Sequence, residues 1–288
     1  MASNVVMITG ASSGIGLATA RLFLERGWCV IAGMRTPAPE KLPAVPDHRL
    51  MVLPVDVTVE SSIEESVELA AHRFGKIDVI VNNAGYGLNG PLEGWEPGQL
   101  EHQFGVNLFG LVAVTRHVLP HMRAQRSGVI VNVSSIGGRF AFPFASAYHA
   151  TKFAVEGLSE SLRFELAAHG VRVKVVEPGG IRTNFITGGS RWASHHAYEP
   201  QLSSFRDMAA RLNDSLPGPE RVAAIILRAA TDRSNRLRYR AAAGPYPLLN
   251  ALLPDCAWRS IVGFALRRHA GRRRVTDASA SGSPVETP

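Results

Sequence analysis

Tyr148 and Lys152 stand four residues apart in "SAYHATK" (146–152), inside a stretch that reads as ordinary helix. That spacing sets a phenol and an ammonium on one helical face, a turn apart. Such a pair can pack, bind other groups or share a proton. A free tyrosine, with a pKa of about 10, is a poor base at neutral pH, and a neighbouring positive charge lowers that value. On these two residues alone the plainer reading stays open: a buried aromatic ring beside an exposed lysine.

A second chemical signal is "TGASSGIG" (9–16), between an apolar run and a helical pattern. Gly10, Gly14 and Gly16 permit a sharp turn, close approach to a pyrophosphate and tight packing of helix on sheet. Ser12, Ser13 and Ile15 complete a loop whose helix N-terminus would offer N–H groups to phosphates. The spacing is GxxxGxG, a variant of the dinucleotide GxGxxG. The next apolar run ends "AGMRT": Met34 stands where a carboxylate would bind a ribose diol, and Arg35 suits a 2′-phosphate. NADP(H) is therefore preferred, with NAD(H) the alternative. Asp56, followed by Val57, suits either a hydrogen bond to an adenine amino group or a helix N-cap. In "NNAG" (82–85), Asn83, Ala84 and Gly85 suit backbone passing close to a ligand, while asparagine is also a common turn residue.

These residues need a frame that brings them together. Apolar runs at 4–9, 29–33, 48–57, 77–83, 128–135 and 171–178 alternate with helical patterns at 14–26, 59–74, 97–126 and 146–168. Continuous Val/Ile runs bounded by turn signals predict strands buried on both faces. Strict alternation with helices predicts an α/β fold, a parallel sheet of about seven strands with helices on both sides. Residues 221–231 read as a further helix and "RLRYR" (236–240) as a last strand. The expected organisation is one dinucleotide-binding domain over 1–245, a helical extension over 246–270 and a disordered tail over 271–288. Within the domain, 185–216 reads as a surface excursion.

Taken together, TGASSGIG, Asp56, NNAG, Asn107, Ser135, Tyr148 with Lys152, and "PGGIRT" (178–183) resemble the short-chain dehydrogenase/reductase family in order and spacing over about residues 4–240. The resemblance implies a single-domain Rossmann fold and a YxxxK motif at Tyr148 and Lys152. Ser135, thirteen residues before the tyrosine, is the implied partner rather than Ser134, and Asn107 the implied asparagine. Pro178, Gly179, Ile181 and Thr183 would lie in the turn that fixes the nicotinamide carboxamide. The implied activity is hydride transfer between NADP(H) and an alcohol or ketone. Tyr148 would be general acid or base, and Lys152 would tune it and hold the ribose. Ser135 would polarise the substrate oxygen, and Asn107 would keep a water beside Lys152. A likeness to the branch with 17β-hydroxysteroid and retinol dehydrogenases rests on "RTNF" and the extended C-terminus.

Rival readings are a catalytically silent NAD(P)-binding redox sensor and a same-fold epimerase or dehydratase. The intact Ser135, Tyr148, Lys152 and Asn107 argue against the first, and the apolar substrate loop against the second. Phe142, Phe185 and Trp192, with Phe140, Phe144, Tyr198 and Phe205 nearby, predict a pocket for a hydrophobic alcohol or ketone.

Composition narrows the partners. The 288 residues are 45% hydrophobic and 19% charged, as in a soluble globular protein. Of the net charge of +7, the tail over 267–288 supplies +3, five arginines against Asp277 and Glu286, and the rest +4. No aromatic and basic residues interleave as in a nucleic-acid groove. Two cysteines, Cys29 and Cys256, make no disulfide framework and fit a reducing cytoplasm. Residues 1–9 lack the plan of a signal peptide. The apolar segment 246–266 is broken by Pro247, Pro254 and Asp255, so with "RRHAGRRR" it would pack on its own domain or touch an anionic membrane surface. His117 and His121 lack the glutamate of HExxH, so no metal is expected. "FAVEGL" (153–158), on the tyrosine helix, would serve a homodimer.

Overall fold

A computed structural model describes residues 3–183, 190–213, 215–244, 252–254, 256–260 and 263. The apolar runs become strands: β1 (Val5–Thr9), β2 (Cys29–Met34), β3 (Leu50–Pro54) and β4 (Val79–Asn82). β5 (Gly87–Asn89), β6 (Gly128–Val133), β7 (Val171–Pro178), β8 (Ser190–Trp192) and β9 (Arg238–Ala241) follow. Seven of them form one sheet in the order β3-β2-β1-β4-β6-β7-β9, every neighbouring pair parallel. Parallel strands need crossovers, and helices supply them. Both faces are therefore covered, and every residue of β1, β2 and β6 is buried.

The chain starts at β1 in mid-sheet, runs outward to β3, then returns past β1 to β4. The crossovers from these two strands leave in opposite directions, which opens a crevice at their C-terminal ends. Helix α1 (Gly14–Glu25) follows β1, and α7 (Glu220–Thr231) packs beside it. Phe23, Leu24, Trp28, Val222 and Ile226 share one core with the sheet. On the opposite face lie α2 (Glu60–Phe74), α4 (Gly110–Gln125) and α5 (Ser146–Ala167), with Ile63, Val67, Val114, Val118 and Leu166 in the second core. In α7 the buried residues Val222, Ala223, Ile226, Ala229 and Ala230 follow the helical period, so one stripe alone meets the sheet.

Three stretches depart from the sequence reading. The helical pattern over 97–126 divides into α3 (Gln99–Phe104), a π-helical turn (Gly105–Phe109) and α4. Residues 185–216 are more than an excursion: they contain β8 and α6 (Glu199–Asn213). β8 pairs in parallel with β5, a strand that "GLN" is too short to announce. Phe185 and most of the 246–270 extension and the 271–288 tail, including the basic segment, lie outside the described residues. The part of the extension that is described includes Trp258, which packs against Phe140. Cys29 is buried and Cys256 exposed, both as free thiols. No helix among the described residues is long and apolar enough to cross a membrane.

Candidate active site

The loop after β1 and the turn after β4 face each other across the crevice and are stitched together. Thr9 Oγ1 accepts the backbone N–H groups of Asn83 and Ala84 at 3.0 and 3.1 Å. The Asn83 amide donates back to the carbonyls of Thr9 and Gly10. Its side chain thus serves the glycine loop, a role that sequence reasoning did not assign. A Cβ on Gly10 would lie 2.9 Å from Ala84 Cα, and one on Gly16 would lie 2.2 Å from the Gly10 carbonyl oxygen. Gly14 has φ +52°, and its missing Cβ would face Thr183 at 3.5 Å, so the turn after β7 closes over the loop. Ser13 caps α1 without a side-chain hydrogen bond, and no acid stands in the first turn. Those N–H groups stay open to an anion, so the residues present fit a dinucleotide.

Ser12 and Ile15 lie on this loop, and Gly85 comes so near Asn107 that a Cβ there would sit 3.2 Å from Asn107 Oδ1. At the end of β2, Met34 is fully buried in the core while Arg35 is exposed. Asp56, after β3, does not cap α2, whose N-cap is Val59. Its Oδ1 instead accepts from Thr58 N at 2.9 Å and Thr58 Oγ1 at 2.7 Å. Desolvation works against the charge of Asp56, but Thr58 together with the Arg35 and His102 charges outweighs it and lowers the pKa. Val57 is a buried core residue beneath Gly110. After β7, Gly179 donates to the Ala241 carbonyl at 2.8 Å, and a Cβ there would lie 2.1 Å from Ala242 O. Pro178 accepts the Ser135 hydroxyl at 3.5 Å, and Ile181 is buried.

Ser135 follows β6, and the first turn of α5 carries Tyr148. The Ser135 hydroxyl lies near enough to the Tyr148 phenol to act on its charge. Burial raises the Tyr148 pKa, and the Ser135 hydroxyl pulls it partly back. The chain's own groups thus favour the protonated phenol, in contrast to the lowering expected from the neighbouring ammonium. Lys152 is buried one turn on, its Nζ 5.8 Å from the Tyr148 ring centroid and donating to Val133 O at 2.8 Å. Burial lowers its pKa to about 8, opposed by the Glu156 carboxylate a further turn along.

Asn107 lies in the π-helical turn. Its amide donates to Tyr86 O at 3.0 Å and Thr151 Oγ1 at 3.2 Å, and its Oδ1 accepts from Tyr86 N at 3.0 Å. It fastens the segment after β4 to α5. Ser134, the neighbour of Ser135, is buried, and its hydroxyl finds no partner among the described residues. Gln103, another buried amide, accepts from Leu88 N and donates to Tyr86 O, fixing β5.

Behind Lys152 lies a charged network that sequence reasoning missed. Glu156 on α5 and Glu177 on β7 are both buried and share Arg238 of β9, whose Nε lies 2.9 Å from one carboxylate and 3.5 Å from the other. Arg238 also reaches Glu160, and Arg240 reaches Glu177. Burial and then the Glu156 charge raise the Glu177 pKa, against the pull of Arg240 and Arg139. Only the helical interval from Lys152 to Glu156 could have flagged it.

The aromatic residues expected near substrate form two groups. Phe142 stacks edge-on with Phe140 at 5.1 Å, and Phe140 with Trp258 at 5.3 Å. Phe144 meets Phe205 at 5.7 Å, which meets Trp192 at 6.4 Å, with Arg206 over the Trp192 ring. Phe185 falls outside the described residues, and Tyr198 turns to His195 instead. His117 and His121 pair with Glu60 and Glu68 of α2.

The sequence profile of the short chain dehydrogenase family matches residues 4–193. An uncharacterised oxidoreductase of Schizosaccharomyces pombe is 41% identical over 195 residues, 67% of this chain and 81% of its own. A 3-ketodihydrosphingosine reductase of Bacteroides thetaiotaomicron is 41% identical over 185 residues, 64% of this chain and 66% of its own. A short-chain dehydrogenase structure from Streptomyces avermitilis superposes with a TM-score of 0.75 at 32% identity, covering 98% of both chains. Two further structures contain nicotinamide cofactors. ElxO with NADP bound has TM-score 0.69, 28% identity and coverage of 84% of this chain and 98% of its own. A 3-ketoacyl-(acyl-carrier-protein) reductase from Brucella melitensis with NADH has TM-score 0.67, 27% identity and coverage of 84% and 97%. The seven-stranded parallel sheet, the profile over most of the chain and these relatives agree: the protein belongs to the short-chain dehydrogenase/reductase family of oxidoreductases.

Proposed function

We propose that the chain is an NADP(H)-dependent oxidoreductase interconverting a hydrophobic secondary alcohol and its ketone. The observation that carries this reading is the juxtaposition of the Ser135 and Tyr148 hydroxyls with buried Lys152 behind them, on the α5 side of the crevice that holds the glycine loop. Bound NADP(H) supplies or accepts the hydride. The chain's residues handle the proton. In reduction, Tyr148 Oη donates its proton to the carbonyl oxygen as negative charge builds there, and Ser135 Oγ hydrogen-bonds the same oxygen. Lys152, charged below about pH 8, stabilises the phenolate left behind and would hold the ribose hydroxyls. Asn107 fixes the π-helical turn against α5, and the second lone pair of Oδ1 is its remaining group for the water expected beside Lys152.

Cofactor choice rests on exposed Arg35 after β2, where no acid is present to bind a ribose diol. A hydrophobic substrate is supported by the two aromatic groups and by the relative named for a ketone reductase. Exposed Phe109, Phe153 and Phe164 support a homodimer through α5 and the π-helical turn before α4, and a monomer in sedimentation equilibrium at micromolar concentration would refute it. The central test is Tyr148→Phe. The variant should bind NADPH normally and lose ketone reduction by about 100-fold or more, the scale of general acid catalysis. Wild-type turnover in the variant would overturn the mechanism.

A further inference from the structure

His149, between Tyr148 and the rest of the YxxxK motif, has no part in the chemistry above, yet it is buried and both ring nitrogens are engaged. Nδ1 lies 2.8 Å from the carbonyl oxygen of Gly137, and Nε2 lies 2.9 Å from the backbone nitrogen of Phe142. A carbonyl can only accept and an N–H can only donate, so the partners fix the neutral tautomer with its proton on Nδ1.

The two peptides it grips lead to the two halves of the site. The N–H of Gly137 donates to Ser135 Oγ at 3.0 Å, so the peptides on either side of Gly137 join the imidazole to the serine. Phe142 carries the ring that meets Phe140, which in turn meets Trp258. Gly137 shows how closely the imidazole is seated: a Cβ there would lie 2.7 Å from Nδ1 and 2.8 Å from Cε1, so no larger residue fits without moving the ring. Burial keeps the ring neutral, against the pull of the Gly137 carbonyl.

We propose that His149 is a positioning residue that latches the 137–142 loop to α5, setting the Ser135 hydroxyl through Gly137 and the apolar pocket wall through Phe142. The assignment rests on Ser135 and Tyr148 being the pair that faces the carbonyl. The latch has two separable arms, because shorter and longer amides reproduce one each. His149→Asn places a donor near the Nδ1 position and keeps the bond to Gly137. His149→Gln places an acceptor near Nε2 and keeps the bond from Phe142.

The test is steady-state NADPH-driven reduction of a small and a bulky apolar ketone by the full-length protein, with NADPH affinity by fluorescence as the folding control. His149→Gln should lower kcat for both ketones about five- to tenfold with little change in KM, the scale of one lost hydrogen bond. His149→Asn should leave kcat for the small ketone within about twofold and raise KM for the bulky one about fivefold. Variants that bind NADPH normally but lose kcat and KM alike, or that match the wild type, would overturn the latch. Should one histidine variant lose NADPH binding, the other decides alone by the effect stated for it; loss of NADPH binding in both makes His149 a folding residue and overturns the proposal. A wild type that reduces no ketone sinks the proposed function first and this assignment with it; an active wild type without the split sinks the latch alone.

Discussion

At the scale of single residues, burial sets the protonation states. It holds Tyr148 protonated and lowers the Lys152 pKa to about 8, and Glu156 opposes the second effect. A base whose folded pKa is lowered keeps its charge below that value and loses it above. Ketone reduction should therefore hold through neutral pH and decline above about pH 8 as Lys152 turns neutral. Glu156→Gln removes the opposing negative charge, so the Lys152 pKa should fall further and the decline should begin at lower pH. The measurement is kcat against pH with saturating NADPH. A basic limb that stays in place would mean that Lys152 does not govern it. Arg238, released from Glu156, keeps Glu160 and Glu177 as partners, so the variant retains its fold.

At the scale of elements, the crevice exists because β1 and β4 are neighbours while their crossovers diverge. The ends of β2 and β3 form its outer rim, with Arg35 and Asp56 close enough for the guanidinium to lower the carboxyl pKa. Arg35→Ala should weaken NADPH binding about tenfold or more and NADH binding far less, since a 2′-phosphate is the group a guanidinium recognises. Titration of both cofactors by fluorescence decides it, and equal loss would show that Arg35 does not read the phosphate. The loss of the Asp56 partner charge is buffered by Thr58, which keeps both hydrogen bonds.

At the scale of the whole molecule, the described part of the C-terminal extension reaches back to the site. Trp258 is buried against Phe140, within a small cluster with Ile136 and Ala243. Trp258→Ala should cost roughly 3–5 kcal/mol in urea unfolding, the range for a large aromatic removed from a packed site. KM for a bulky ketone should rise at unchanged NADPH affinity. Full stability in the variant would show that the extension adds nothing to the fold in solution.

How much of this was legible in the sequence differs by element. Val/Ile runs and helical stripes are local patterns, so they announced the seven strands of the sheet and the helices between them. β5 and β8 have three residues each, too few for a period, and the charged, sparsely apolar α6 resembled a loop. The π-helical turn at Asn107 kept the helical stripe unbroken and so left no mark. Local pattern thus carried the family, the order of the seven main strands, and the residues whose types could handle the proton that accompanies hydride transfer. The tertiary structure alone decided which groups meet. Glu156 and Glu177 share Arg238 across 82 and 61 residues of chain, and His149 grips two peptides of a loop that no periodicity describes. Spacing reports neighbours along one element, whereas burial and hydrogen bonding are set by neighbours that only folding brings together.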